Sequence, residues 1–543
     1  NVGPWISDTI KTYYQVDGKP LGEKNPKWLQ DDYVKFIRFA QWKIEQAGEG
    51  VLGFITNHSY LDNPTFRGMR QSLMQSFEEI YLLDLHGNSL KKERCPDGSK
   101  DENVFDIRQG VAIGLFIKKA GLKRKVCHAE RWGLREEKYG WLEANDRGTT
   151  EWEEIHPRSP FYLFVPRDDA LFDRYQQYPR VTEIFPVNSV GIVTSRDHFV
   201  IDFDKETLKR RIRMFRDKSL PDEVIRQTFK LKDNRDWKMP AKRKAIIADD
   251  NWEEKLMQIL YRPFDVRWIF YHKDAIDFGR PEVMRHMLQR NIGLIIPRRV
   301  ELAGGWQHVL VTNLPGEHVT VSLKTIDYLF PIHLYLDGDK KDLFSHFEGE
   351  QRPNLDPSLF GVLNEAYGLK ASPEEVLHYV YAVLCAPTYR TKYGEFLKTD
   401  FPRIPFTRDR ELFAKISELG KRLVHLHTLK STELDPPVAR FQGTGDHKVE
   451  KQRYSEKEKR VYVNKGQYFE EVQPQVWEYQ VGGYQVLDKW LKDRKGRALN
   501  LEDIRHYCRV VTALSKTIEL QSEIDVLYPE IERHVIQFVS SMT

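Results

Sequence analysis

The sequence has little cysteine, and what it has is scattered. Cys95, Cys127, Cys385 and Cys508 are the only four in 543 residues. They lie too far apart for a CxxC metal site or a disulfide scaffold. No apolar run approaches the roughly 20 residues a bilayer span needs, and the first residues lack a signal-peptide pattern. Charge of one sign is not in excess either. Lys and Arg number 84 against 80 Asp and Glu, for a net charge of +4, so net charge alone does not mark a polyanion binder. There is no internal repeat and no low-complexity tract. These absences predict a globular cytoplasmic protein with reduced thiols and no metal.

Familiar catalytic signatures are missing too. The chain has no GxxxxGK[ST], no HExxH and no GxSxG. His425 and His427 stand two apart, about 200° around a helix, and cannot share an ion there. Glu136-Glu137-Lys138 supplies an ExK without the acidic partner of a PD-(D/E)xK nuclease. Asp435-Pro436-Pro437-Val438 nearly matches the Asn/Asp/Ser-Pro-Pro-Tyr/Phe tetrapeptide of amino-methyltransferases. Val438 cannot stack on a base, however, and the segment follows a helix rather than a strand, so it reads as a linker.

What is present is length, aromatic content and local charge. At roughly 100–200 residues per domain, the chain predicts three to five packed units. Apolar residues at helical spacing predict a helix over 31–44 and another over 66–77. The runs 50–56, 80–85 and 110–117 read as strands, the first as a buried parallel one. A charged loop, His86 to Asn103, separates the last two. This order predicts an α/β, doubly wound sheet over residues 1–120. Residues 121–340 are aromatic-rich and read as mixed α+β, with strands in 186–203 and 262–271. Residues 341–543 read as mainly helical: a helix from Pro373 through Phe396, another over 411–429, an exposed loop or hairpin over 443–465 and a terminal helical hairpin over 501–539.

Basic residues cluster locally. In 205–216, Lys209, Arg213 and Arg216 form one stripe beside Leu208, Ile212 and Phe215. A helix seated on a core and presenting such a ridge suits phosphate contact, and a solvated charged face is the competing reading. Lys238 to Lys244, Arg298-Arg299, Lys448 to Lys465 and Lys489 to Arg497, which holds Lys492 and Arg494, repeat the theme with interleaved aromatics. That pattern fits an extended polyanion track.

Residues 31–119 resemble the second half of the catalytic domain of DNA adenine-N6 methyltransferases, and among these the single-chain Type ISP restriction–modification enzymes. The resemblance is carried by Asp31 to Arg38, by Gly50 to Leu61, by Phe66 to Arg70, and by Leu85 to Asn88 through Asn103-Val104-Phe105-Asp106-Ile107-Arg108 to Val111. It continues in Arg262 to Trp268, Arg280 to Met284, Phe401 to Pro405 and Glu478 to Leu487.

The resemblance implies a partial Rossmann-like methyltransferase sheet followed by a target-recognition region that reads double-stranded DNA. It implies that Phe105 and Arg108 border the pocket for a flipped adenine, with Asn57 at a strand end nearby. Lys91 and Lys92 in the long loop, and Arg267 and Arg280 in the recognition segments, join the DNA-contact candidates. The family's Asn-Pro-Pro-Tyr tetrapeptide and S-adenosyl-L-methionine loop have no counterpart in this sequence. The chain opens at Asn1 without an initiator Met, and the expectation is that a catalytic half precedes it or is supplied by another chain. Alone, this chain is expected to be inactive. The alternative is a stand-alone specificity module acting in trans with a separate catalytic chain.

Overall fold

Val34, Ile37 and Gln41 recur at helical spacing, and Asp32–Ala47 folds as helix α1 with those side chains buried. It stops at Gly48, whose φ of +83° suits the left-handed helix end that glycine supplies without a Cβ penalty. The computed structural model describes residues 2–23, 26–335, 351–368 and 371–538. It divides into one unit of Asn1–Asp173 with Glu301–Gly304, and a second of Arg174–Val300 with Gly305–Thr543.

In the first unit, α1 is followed by β1 (Gly50–Asn57), α2 (Arg67–Ser76), β2 (Glu79–Asp84), β3 (Val111–Lys118), β4 (Lys125–Glu130), α3 (Arg135–Ala144) and β5 (Glu153–Ile155). The five strands form one sheet in the order β1-β3-β2-β4-β5. β2 is buried over Ile80–Asp84, as a continuous apolar run in a central strand should be. Val34 and Ile37 of α1 with Met69 and Leu73 of α2 pack on Leu82 and Phe116 from one face. Leu83, Leu85 and Val111 face the other way, toward Trp141 and Trp152.

Three expectations need correction here. The doubly wound reading predicted parallel neighbours, yet only β2 and β4 pair in parallel; the other three pairings are antiparallel. The cause is β3, which returns between β1 and β2, so that those two run the same way on either side of it. β1 is accordingly an antiparallel edge strand, with Val51 65 % exposed. Its outer backbone groups have no strand partner among the described residues. The boundary placed at residue 120 falls inside the sheet, because β4 and β5 pair onto it and the compact unit runs to Asp173. The aromatic texture that suggested a new domain is the cover of that sheet: Trp152 lies edge-on to Tyr81, with centroids 5.1 Å apart.

The second unit is mixed. β6 (Ser189–Val190), β7 (Ile201–Asp202), β8 (Leu256–Arg262), β9 (Asp265–Phe270), β10 (Gly293–Pro297), β11 (Leu310–Thr312) and β12 (Asp327–Pro331) make two antiparallel sheets, β8-β9-β7 and β11-β10-β12-β6, with helix α4 (Lys205–Arg216) between β7 and β8 in the chain. Leu208, Ile212 and Phe215 are all buried along α4, as their spacing predicts. The domain boundary expected at residues 340 and 341 lies outside the described residues.

Later come α5 (Pro373–Cys385), α6 (Pro387–Lys392), α7 (Gly394–Thr399) and α8 (Arg410–His427). The single helix expected from Pro373 to Phe396 is three, because Ala386 is extended (ψ 121°) ahead of Pro387. The stretch read as a loop or hairpin lies within a sheet of four strands, β13 (Arg440–Gln442), β14 (Arg453–Ser455), β15 (Arg460–Tyr462) and β16 (Tyr468–Glu470), in the order β13-β16-β15-β14. After α9 (Val486–Asp493), the terminal hairpin proves to be one helix, α10 (Leu501–Arg533). It contains no glycine, and its buried positions run on from Tyr507 through Tyr528 to Ile531. Val539, the expected end of that hairpin, lies outside the described residues.

Candidate nucleic-acid interface

The segment before β3 is a built loop. Asn103 Oδ1 accepts the Phe105 N–H at 2.9 Å, a local turn characteristic of Asn. Its Nδ2 donates to the Gln109 carbonyl at 2.6 Å and to the Gly87 carbonyl at 3.2 Å. Arg135, from the start of α3, donates to the Asn103 carbonyl at 2.7 Å and the Phe105 carbonyl at 3.0 Å, and pairs with Asp106 at 2.8 Å. Gly87, at φ +82°, lets the two arms approach: a Cβ there would stand 2.4 Å from Asn103 Cα. So held, the loop leaves Phe105 44 % exposed and Ile107 47 %. Arg108 is exposed beside them. An aromatic ring left half in solvent on a fixed backbone is a platform whose geometry is set before anything stacks on it.

Beneath this loop, the ends of β1 and β2 bring polar groups together. His58 Nδ1 donates to Asp84 at 3.0 Å, and Asn88 Nδ2 donates to His58 Nε2 at 3.1 Å. The His58 ring packs so closely on Gly110 that a Cβ there would meet it at 2.5 Å. Burial alone would lower the His58 pKa, but the Asp84 carboxylate overrides it and raises it. Burial likewise opposes ionisation of Asp84, yet His58, His86 and the His86 N–H hold it well below the usual carboxylate range. Asn57 does not point to special chemistry: its Oδ1 caps the next turn by accepting the Ser59 N–H at 2.9 Å.

The cationic candidates separate into two groups. Lys92, Arg108 and Lys492 are exposed. Most of the others are engaged within the chain. Lys91 pairs with Asp62 at 3.2 Å. Lys209 and Arg213 both reach Glu253, and Arg216 donates to the Asp249 carbonyl at 2.7 Å. The α4 ridge is thus drawn into contacts within the chain, with one carboxylate, Glu253, set against its three cations. Arg267 joins Asp265 and Asp493, and Arg494 reaches Asp265 at 2.9 Å, a buried network. Arg298 donates to Asp400 at 2.8 Å, with Arg299 half-buried next to it. Arg280 lies 4.8 Å from the Phe278 ring.

A family model described as the Type ISP C-terminal specificity domain matches residues 183–523. The chain belongs to that family. The Type ISP match contains Lys209, Arg213, Arg216, Arg267, Arg280, Arg298, Arg299, Lys492 and Arg494, while Asn57, Lys91, Lys92, Phe105 and Arg108 precede it. The fold is shared with solved structures over nearly the whole chain. The structure titled "cryoEM structure DrdV-DNA complex" has a TM-score of 0.74 at 21 % identity, over 95 % of this chain and 54 % of that one. The ATP-dependent Type ISP restriction-modification enzyme LlaBIII bound to DNA gives 0.74 at 21 %, over 96 % and 35 %. A nuclease-deletion mutant of the Type ISP enzyme LlaGI with a DNA substrate mimic gives 0.70 at 20 %, over 96 % and 42 %. This chain therefore spans about half or less of the solved chains it matches. No curated protein matches it significantly.

Sequence reasoning missed the groups that hold the loop. Asn103, Arg135 and the buried pair of Lys138 with Asp101 carry no signature as single residues. Asn two positions before an exposed Phe was the one available signal, since Asn in that place turns its own backbone. No helix among the described residues is long and apolar enough to cross a membrane.

Proposed function

We propose that this chain is the carboxyl-terminal part of a site-specific DNA adenine-N6 methyltransferase of a Type ISP restriction–modification system. In this reading the second unit recognises the target sequence in double-stranded DNA, and the first unit supplies one wall of the pocket for the flipped adenine. The observation that carries it is Phe105: an exposed ring on a loop fixed by Asn103 and Arg135, directly ahead of β3. Extruding a base costs a few kcal/mol, and an aromatic face recovers roughly 1–3 kcal/mol of that. Arg108, exposed on the same loop, offers a cation to the neighbouring phosphate. Lys92 and Lys492 are the candidates best placed by their exposure to follow the backbone.

S-adenosyl-L-methionine would supply the methyl group in the intact enzyme. The residues of this chain do not fit as its cradle, because no glycine-rich loop joins a strand to a helix among the described residues. The unpaired edge of β1, flanked by exposed Val51, Phe36 and Phe39, is the surface on which a catalytic half would continue the sheet. That half belongs to the same polypeptide or to a separate chain.

The test is selection of bound duplexes from a random library, followed by mobility shift across salt concentrations. One enriched sequence, with log affinity falling linearly in log salt, is the expected result. Failure to enrich any sequence, or negligible and salt-independent binding, removes the reading.

A further inference from the structure

His58 and His86 come from the ends of two different strands, and Glu93 from the loop beyond. One potential ligand atom from each lies within 4.8 Å of the other two. His58 Nε2 is 3.9 Å from Glu93 Oε1. Both histidines are buried. Each imidazole is also held through one nitrogen by a carboxylate. Asp84 accepts from His58 Nδ1 at 3.0 Å, and Glu130 meets His86 Nε2 at 3.3 Å. A carboxylate behind the imidazole is the usual support of a metal-ligating histidine, fixing its tautomer and raising its basicity. With His58 Nδ1 donating to Asp84, Nε2 is the acceptor of a hydrogen bond from Asn88, and a metal would take over that lone pair. The His86 ring is further fixed by stacking on Trp132 at 3.3 Å.

The local charge points the same way. Asp62, Asp84, Glu93 and Glu130 contribute four carboxylates, and Lys91, paired with Asp62, contributes one ammonium. The carboxylates outnumber the ammonium, a balance that favours a cation between the two imidazoles. Two imidazoles and a carboxylate are a familiar zinc set with one position left for water. Ligand atoms around zinc stand about 3.3 Å apart at tetrahedral angles. From the present separations, 3.9 Å between His58 Nε2 and Glu93 Oε1 and within 4.8 Å for the set, the three side chains must draw together by roughly 0.5–1.5 Å, and the Asn88 amide must turn aside. Asn88 and Glu93 both sit on the loop after β2, joined by the Asn88 N–H, which donates to Glu93 at 2.7 Å.

We propose that His58, His86 and Glu93 bind a single divalent transition metal, zinc by preference, with Asp84 and Glu130 orienting the two imidazoles. The ion would tie the exit of β1 to the loop after β2. Gly87 of that loop accepts from Asn103, which in turn holds Phe105. The proposal does not depend on the methyltransferase reading.

The test uses the whole chain, stripped with a chelator and titrated with zinc by calorimetry, with bound metal counted by elemental analysis. Cobalt(II) in place of zinc gives visible absorption that reports nitrogen and oxygen ligands. One ion per chain and a raised melting temperature are expected. Glu93→Gln keeps an oxygen to accept the Asn88 N–H, and His86→Phe keeps the stack on Trp132, so both variants should fold. Each should weaken zinc at least tenfold and change the cobalt spectrum. No stoichiometric zinc, or zinc that survives either substitution unchanged, overturns the proposal.

Discussion

Lys138 Nζ donates to Asp101 Oδ1 at 2.6 Å, with both side chains wholly buried. The same ammonium donates to the Leu85 carbonyl at 2.7 Å and the Glu102 carbonyl at 2.6 Å. Asp101 accepts from the Gly87 N–H at 2.7 Å and the Gly133 N–H at 3.0 Å. One ion pair therefore fastens both arms of the loop carrying Phe105 to helix α3. Removing one member of such a pair strands the other without compensation, at about 3–5 kcal/mol. Lys138→Met should lower stability in urea unfolding by about that much, and protease should reach the 86–110 loop first. A loss below about 1 kcal/mol would show that the pair contributes little.

Phe105 has the opposite profile. Its ring is half in solvent, so Phe105→Ala should leave the melting temperature nearly unchanged. Against a duplex carrying 2-aminopurine at the target adenine, it should weaken base extrusion by about 1–3 kcal/mol. Fluorescence of the probe measures this. Equal extrusion by the variant and the parent chain would move the stacking role elsewhere.

The cations should separate in the same experiment. Lys92→Ala and Lys492→Ala should each reduce the salt slope of DNA binding by about one, with stability intact. Lys209→Ala and Arg213→Ala should alter it less, since the two share the Glu253 carboxylate. Arg494→Ala should instead unfold the chain more readily, by about 1.5–3 kcal/mol, because buried Asp265 loses one of its two arginine partners and keeps Arg267. A large drop in DNA affinity for Lys209→Ala, with stability unchanged, would contradict this division.

Asp327 gives the second unit a pH dependence. Burial, with Glu317 nearby, pushes its carboxyl up to about 8, against two N–H groups of Val321 and Ser322 that favour the ionised form. In the unfolded chain it ionises near 3.9. Its contribution to stability is therefore complete below about pH 4 and is lost as pH rises toward 8. Asp327→Asn keeps an acceptor for both N–H groups and carries no charge. It should be more stable than the parent chain at pH 8 by a few kcal/mol, with the difference shrinking toward pH 5. An advantage independent of pH would refute the assignment.

The chain alone should transfer no labelled methyl group from S-adenosyl-L-methionine to DNA. Transfer above background by this polypeptide would show that it holds a donor site of its own.

Much of the first unit was legible because local and global signals agree there. The helix at Asp32–Ala47 and the strands at Gly50–Asn57, Glu79–Asp84 and Val111–Lys118 are marked by period and by turn residues. Pairing direction was not legible, since a run such as Val111–Lys118 reads the same whether its neighbours are parallel or antiparallel. Single-residue choices decided the helical misreadings: Pro387 breaks one expected helix, while Leu501–Arg533 holds no glycine and runs on as one helix through Pro529. The candidate site was half legible. Phe105 and Arg108 stand close in sequence, whereas His58, Asp84, Asp101 and Lys138 meet only once the sheet has formed. Cationic stripes misled for a related reason. Composition counts charges, and only the folded chain shows which of them Glu253, Asp265 and Asp493 engage.

Helix α10 is 33 residues, about 50 Å at 1.5 Å per residue, and it packs against α5, α6, α8, α9 and β13. The helical layer and the four-stranded sheet therefore share a single spine. Segments 373–427 and 440–493 cannot be exchanged between relatives as independent cassettes, because either graft would have to bring its own share of that spine. New specificity in this region is accessible through side chains on a retained frame, and transplanting pieces of it would break the frame first.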